Sequence, residues 1–435
     1  MIIKKFKNYT LILALVCAIS IALAQASGIS ILVYGALAFY LMLMICAKEE
    51  YIIPLFAFFL PWAPVLKISP TAISVYSIAT ILVFAVCLLR TGKKKIKSDL
   101  VVIVLAFAAI TLLSKGLHQY GISASYIMFL FMMLAYPLFI EWHKDRVSFE
   151  SVTLFFSLGI ISATLLSMLF ENSENLMRYI VIMEDEHLGL VRNSGFYADP
   201  NFYAAQIITA IGCWFVLFVA RKDMKKVFGV ILILIMALMG MSSVSKSYLI
   251  SLVVLIVVWL IALLRVSVTK TAKVIAVILL VVSVGLATGL FSGIIDQYLV
   301  RFGMVDDSSS LTTGRTDLWK EYYEFLFNSP LDLFMGQGFT SVFNGVRKGS
   351  HSIIVQTVYQ FGLIGAFCVI LWLGTFIKKL RKVKFSLILL LMVSCFSMWL
   401  GLDILFFDDF FVNIAIFALG IDYLSVASRE NEQLV

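Results

Sequence analysis

Five side chains between positions 192 and 351 have types suited to handling a phosphate-bearing substrate: Arg192, Lys246, Arg301, Arg315 and His351. Guanidinium groups bind phosphate oxygens in pairs, lysine binds them as a point charge, and imidazole can carry a proton near neutral pH. Arg192 lies in "VRNSGFYADPN", just before an apolar run. Gly195 allows a tight bend, Asp199 or Asn201 can cap the following helix, and Pro200 suits its first turn. Capping has no use for Arg192, whose plain alternative is a snorkelling anchor. Lys246, in "MSSVSKSYL", sits between two apolar runs, where an ionisable group is costly unless it snorkels or functions. Arg315, in "LTTGRTDLW", opens an amphipathic stretch, and helix N-termini bind anions. Its plain alternative is a loop arginine. His351 opens "HSIIVQTVYQFGLIGAF". A histidine there is commonly structural, yet it is also the side chain best suited to general base catalysis.

The elements that must position these residues are apolar helices. The chain has 435 residues, 62% hydrophobic and 14% charged, against about 45–50% and about 25% in soluble domains. Runs long enough to span a bilayer recur throughout, at roughly 9–25, 29–46, 51–66, 72–90, 98–114, 123–141, 152–170, 201–220, 227–241, 247–265, 273–291, 352–376, 385–402 and 408–425. The fold class is an all-α polytopic membrane protein with about 14 (12–14) transmembrane helices. The 51–66 run is the weakest, being interrupted by Pro54, Pro61 and Pro64.

With the N-terminus and its Lys4, Lys5 and Lys7 in the cytoplasm, the basic loops 90–97, 141–146, 221–226, 265–273 and 378–384 all fall inside. That is the positive-inside rule, and it accounts for the net charge of +8 without nucleic acid. The first run ends in "ALAQASG", like a signal peptide, but reads as an uncleaved span because the next run follows at once. The chain then divides into transmembrane helices over 1–170, an extracytoplasmic loop over 171–200, transmembrane helices over 201–291, a large extracytoplasmic loop carrying short helices over 292–351, and C-terminal transmembrane helices over 352–435. Within the large loop, 314–330 reads as an amphipathic helix whose Trp319, Tyr322, Tyr323 and Phe325 could lie on the bilayer surface. The six cysteines lie inside apolar runs as small hydrophobes. Other extracytoplasmic charges are Lys320, Arg347 and Lys348, with Glu184, Asp185, Glu186, Asp199, Asp306, Asp307, Asp403, Asp408 and Asp409 as acids. Patterns for a nucleophile elbow, a P-loop, a dinucleotide fold or a zinc protease do not occur, which removes support for those chemistries.

The ordered set on one face resembles the O-antigen ligase and polymerase superfamily. It comprises Arg192 to Asn201, Ser245-Lys246, Gly314-Arg315, "GQGF" at 336–339, and His351 with "GLIG" at 362–365. The resemblance covers roughly 190–370 by motif and the rest by topology. Two positions depart from the usual pattern: Lys246 stands where the family usually has arginine, and Ser352 where it usually has asparagine.

The resemblance implies an integral-membrane glycosyltransferase of the GT-C type, using undecaprenyl-diphosphate-linked oligosaccharide without cofactor or metal. The cations would hold the pyrophosphate and His351 would act as general base. A diphosphate leaves well when cations stabilise its charge, and direct displacement would invert the anomeric carbon. The expected activity is polymerisation of polysaccharide repeat units at the outer face of a bacterial cytoplasmic membrane. The alternatives are a ligase of the same family and a lipid-linked oligosaccharide flippase. Candidate partners are the bilayer, a flippase and a chain-length regulator.

Overall fold

The computed structural model describes residues 2–91, 96–179, 184–185, 190–220, 226–289, 292–303, 314–340, 342–375, 380–405 and 407–432. Parts of three basic loops (92–95, 221–225 and 376–379) and the acids Glu186, Asp306 and Asp307 lie outside them.

The described chain is nearly all helical. Its helices are α1 (Ile2–Ser27), α2 (Ser30–Cys46), α3 (Ile52–Phe59), α4 (Val75–Thr91), α5 (Ser98–Leu117), α6 (Ala124–His143), α7 (Phe149–Leu169), α8 (Glu174–Met177), α9 (Pro200–Ala220), α10 (Lys226–Met241), α11 (Lys246–Leu264), α12 (Val268–Ala287) and α13 (Ser292–Gly303), followed by α14 (Arg315–Asn328), α15 (Pro330–Met335), α16 (Ile353–Gly374), α17 (Phe385–Phe396) and α18 (Asp408–Glu432). Two small antiparallel hairpins pair Glu184–Asp185 with Leu190–Val191 and Val342–Phe343 with Val346–Arg347.

Among the described residues, nine helices are long and apolar enough to cross a membrane. A tenth crossing is possible if Ser30–Cys46 and Glu49–Trp62, which meet at 119°, are one broken span. Three more apolar helices are shorter: Val75–Arg90, Val227–Met241 and Phe385–Gly401. Every apolar run read from the sequence thus coincides with helix, but fewer make a full-length straight span. The proline-bearing run shows why: α3 stops at Phe59 and tightens into a 3₁₀ turn over Leu60–Trp62, where Pro61 cannot donate a helical hydrogen bond. This is a multi-pass membrane protein.

Hydroxyl caps start several helices. Ser123, Ser148 and Ser245 each accept the backbone N–H three residues on, at α6, α7 and α11. Such bonds satisfy donors that no helical carbonyl can reach. Helix α9 is buried along most of its length and packs against α7, α10, α11, α17 and α18. It is the axis around which the site-bearing segments gather.

Helices α14 and α15 with the 342–347 hairpin pack over the start of α16 as a second, smaller core of Leu318, Tyr322, Leu326, Phe343, Val355 and Tyr359. This corrects one expectation. Tyr322 does not lie on a bilayer surface; it is 2% exposed, stacked on Phe343 at 3.9 Å and edge-on to Tyr359 at 4.8 Å. Phe325 packs on the same two rings, while Tyr323 stays exposed. The aromatic face is covered by the hairpin, a partner that helical periodicity does not reveal.

Helix α16 is broken at Gly362, where φ is 64°. The 336–339 loop docks at this break: the Gln337 N–H donates to Tyr359 O and the Gly338 N–H to Gln360 O, both at 2.8 Å. A broken helix inside a bundle needs such partners for its freed carbonyls. "GQGF" and "GLIG" are therefore two halves of one joint.

Candidate active site

Arg192 is 7% exposed. Its Nε donates to Ser243 O at 3.0 Å, and the neighbouring Asn193 N–H donates to Ser242 O at 3.0 Å. The strip before α9 is thereby tied to the tight turn between α10 and α11. The same turn is held a second way: Ser245 Oγ donates to Asn201 Oδ1 at 2.6 Å. Asp199 caps α9, accepting the Asn201 backbone N–H at 2.7 Å and its side-chain amide at 2.8 Å. The "DPN" stretch is thus a helix start that also grips Ser245, next to Lys246.

Helix α13 brings Arg301 to this turn. Tyr298, one helical turn earlier, donates its hydroxyl to Ser245 O at 3.4 Å. Burial pushes that hydroxyl up to about 12, while the charges of Arg192 and Arg301 hold it down. Arg301 also acts electrostatically on Lys246, whose Nζ lies 5.4 Å from the centre of the Phe302 ring. Arg192, Lys246 and Arg301 therefore surround one small region.

Arg315 approaches it from α14. Gly314 precedes it with φ of 74°, so the chain turns sharply into the helix. The guanidinium packs over Gly401: a Cβ there would lie 2.6 Å from Arg315 Nη1 and 3.8 Å from Ser247 Oγ. Burial lowers the Arg315 pKa, Asp199 and Asp403 raise it, and Arg301 lowers it. It remains a cation at any physiological pH.

His351 is exposed and has φ of 51°, a left-handed conformation uncommon outside glycine. Asp403 holds it there. Its Oδ2 accepts the His351 backbone N–H at 2.9 Å, its Oδ1 accepts the Ser352 N–H at 3.4 Å, and the Ser350 hydroxyl donates to Oδ1. On the other side Trp319 Nε1 donates to Ser350 O at 2.8 Å. The residue stays exposed, with its Nε2 near Gly349, where a Cβ would lie 3.9 Å away. Asp403 holds the His351 backbone and acts on Arg315, and so links this turn to the cations.

Of the residues expected from sequence, Arg192, Lys246, Arg301 and Arg315 are brought together by the strip before α9 and by α11, α13 and α14, and His351 joins them through Asp403. Lys320 pairs with Glu324 at 3.9 Å and Lys348 with Glu321 at 2.8 Å, as exposed surface charge. The sequence reading did not assign a role to Asp403, Tyr298 or Gly401, none of which has a local signature. It also missed a polar group beneath the 336–339 loop. His118 contacts Asp332 Oδ1 at 2.7 Å and Ser114 O at 2.8 Å. Lys115 Nζ donates to Phe339 O at 3.4 Å. Their only signal was polarity at the end of α5. Among the described residues no three His, Cys, Asp or Glu side chains are grouped to hold a metal ion.

Neither protein-family models nor curated proteins give a match to this chain.

Proposed function

We propose that the protein is a polysaccharide repeat-unit polymerase, a metal-independent inverting glycosyltransferase of the GT-C type with about 14 (12–14) spans. It would work at the outer face of a bacterial cytoplasmic membrane, with both termini inside, alongside a flippase and a chain-length regulator. The observation that supports this is the meeting of four cations, from the strip before α9 and from α11, α13 and α14, with an exposed histidine tied to them by Asp403.

In the proposed reaction the donor glycan is linked to undecaprenyl diphosphate. Arg192, Lys246, Arg301 and Arg315 bind the diphosphate and stabilise the charge that grows as the anomeric C–O bond to phosphate breaks. The hydroxyl of an incoming lipid-linked repeat unit attacks the anomeric carbon from the opposite face. His351 takes its proton, the new glycosidic bond forms, and undecaprenyl diphosphate leaves. The arginines can grip phosphate oxygens bidentately; Lys246 supplies a point charge. Gathering of these groups at one end of the bundle supports transfer rather than lipid flipping, which calls for matched polar sites near mid-membrane in two repeats.

Deletion in the producing cell tests the reading. Loss of long glycan with single repeat units still displayed is the polymerase result. Loss of all displayed glycan would instead mark a ligase, and unaltered glycan would remove the transferase reading.

A further inference from the structure

A cavity of about 780 Å³ lies among the 63–74 segment and the starts of α4, α6 and α18. Small-molecule sites usually occupy about 300–1,000 Å³. Lys67, Arg178, Asp408 and Asp409 line one part of it with the rings of Tyr179 and Phe407, and a larger apolar wall, including Ile73, Met128 and Phe131, lines the rest.

The carboxylates are anchored without being saturated. Asp408 accepts the Ser77 hydroxyl at 3.3 Å. Asp409 accepts Gln206 Nε2 at 2.7 Å and the Tyr197 hydroxyl at 3.2 Å. A carboxylate offers about four acceptor sites, so Asp408 keeps capacity for further donors. An acyl chain would suit the apolar wall but bond none of Lys67, Arg178 and Asp408, and a free phosphate would face two carboxylates. A sugar meets both halves of the lining. Its hydroxyls donate to Asp408 and accept from Lys67 and Arg178, while its C–H faces lie against aromatic rings.

Two chain segments run between the site and the cavity. The 192–199 segment carries Arg192 at one end and the cavity-lining Tyr197 and Ala198 at the other; the 403–409 segment carries Asp403 and then Phe407, Asp408 and Asp409. A glycan seated here would have its terminal hydroxyl directed along these segments toward the site.

We infer that this cavity is the subsite for the terminal sugars of the acceptor glycan, with Asp408, Lys67 and Arg178 bonding hydroxyls and Phe407 and Tyr179 covering ring faces. The inference rests on the transferase reading above.

The probe is the free oligosaccharide repeat unit released from the producing cell's own surface polysaccharide, carrying neither lipid nor diphosphate. Its binding to the full-length protein in detergent is followed by saturation-transfer NMR. Wild type should bind it. Asp408→Asn and Phe407→Ala should each bind it about tenfold more weakly, both eluting as wild type on gel filtration. Unchanged affinity in both Asp408→Asn and Phe407→Ala overturns the subsite, as does absence of binding to wild type. Binding of undecaprenyl diphosphate, measured in parallel, separates the two claims. If wild type holds it and Arg192→Ala loses it while no glycan binds, the subsite fails alone; if wild type binds neither, both fail.

Discussion

Asp403 holds His351 by the backbone: its carboxylate accepts the His351 N–H at 2.9 Å and takes the hydroxyl of Ser350 beside it. A left-handed residue costs about 1–2 kcal/mol, and persists when its surroundings fix it. The same carboxylate acts on Arg315, so one acid sets the proposed base relative to a proposed diphosphate-binding cation. Asp403 is a positioning residue by this account. Asp403→Ala should lower kcat by about 100-fold, the scale expected when a reacting group is misplaced by about 1 Å, with donor still bound. A loss seen only as weaker donor binding would contradict this.

Gly401 gives Arg315 its place. With a Cβ 2.6 Å from Nη1, Gly401→Ala should push the guanidinium aside and weaken binding of undecaprenyl diphosphate about tenfold, consistent with the cost of overpacking. Gly374→Ala, whose Cβ would meet nothing within 4 Å, is the control and should bind normally. Equilibrium binding of labelled lipid in detergent reads the difference.

Tyr298 should matter as a neutral donor. Its folded pKa is about 12, above the usual value near 10, so folding favours the protonated hydroxyl. The stability from this difference is complete below about pH 10 and is lost as pH rises toward 12. Melting curves from pH 6 to 9 should therefore show no slope due to Tyr298. Above pH 10, Tyr298→Phe should lose less stability than wild type; a difference in slope between pH 6 and 9 would contradict the assignment.

Gly362 should govern the joint that carries the 336–339 loop. At φ of 64°, Gly362→Ala takes on a left-handed penalty of about 1–2 kcal/mol, and its Cβ would meet Gly336 and Phe334 backbone. Tm in detergent should fall by several degrees, about 2–4 °C per kcal/mol for domains of 150–250 residues. An unchanged Tm would mean that the break in α16 is not required.

Much of the bundle was legible because apolar length is a local property. The caps were legible too: Asp199 and Pro200 start α9 as the sequence implied. Arg192 stood out because the helix start beside it did not need a cation. What its type could not show was the partner, Ser243 O, supplied by a turn far along the chain. Asp403 was visible only as one acid among several, since its contacts to 350–352 are equally remote. Tyr322 was misplaced for the same reason: the hairpin that covers it comes later in sequence. The 119° bend between Ser30–Cys46 and Glu49–Trp62 has no signature in hydrophobic periodicity.

The central claim is that cations and imidazole act together on a lipid diphosphate, and purified protein tests it most directly. Given lipid-diphosphate-linked repeat units and no nucleotide, wild type should lengthen the glycan. His351→Ala and Arg192→Ala should each fall by at least about 100-fold, within the range for loss of a general base or a charge-stabilising donor. Full chain growth in His351→Ala would contradict the assignment of the base, and full growth in both variants would contradict the account.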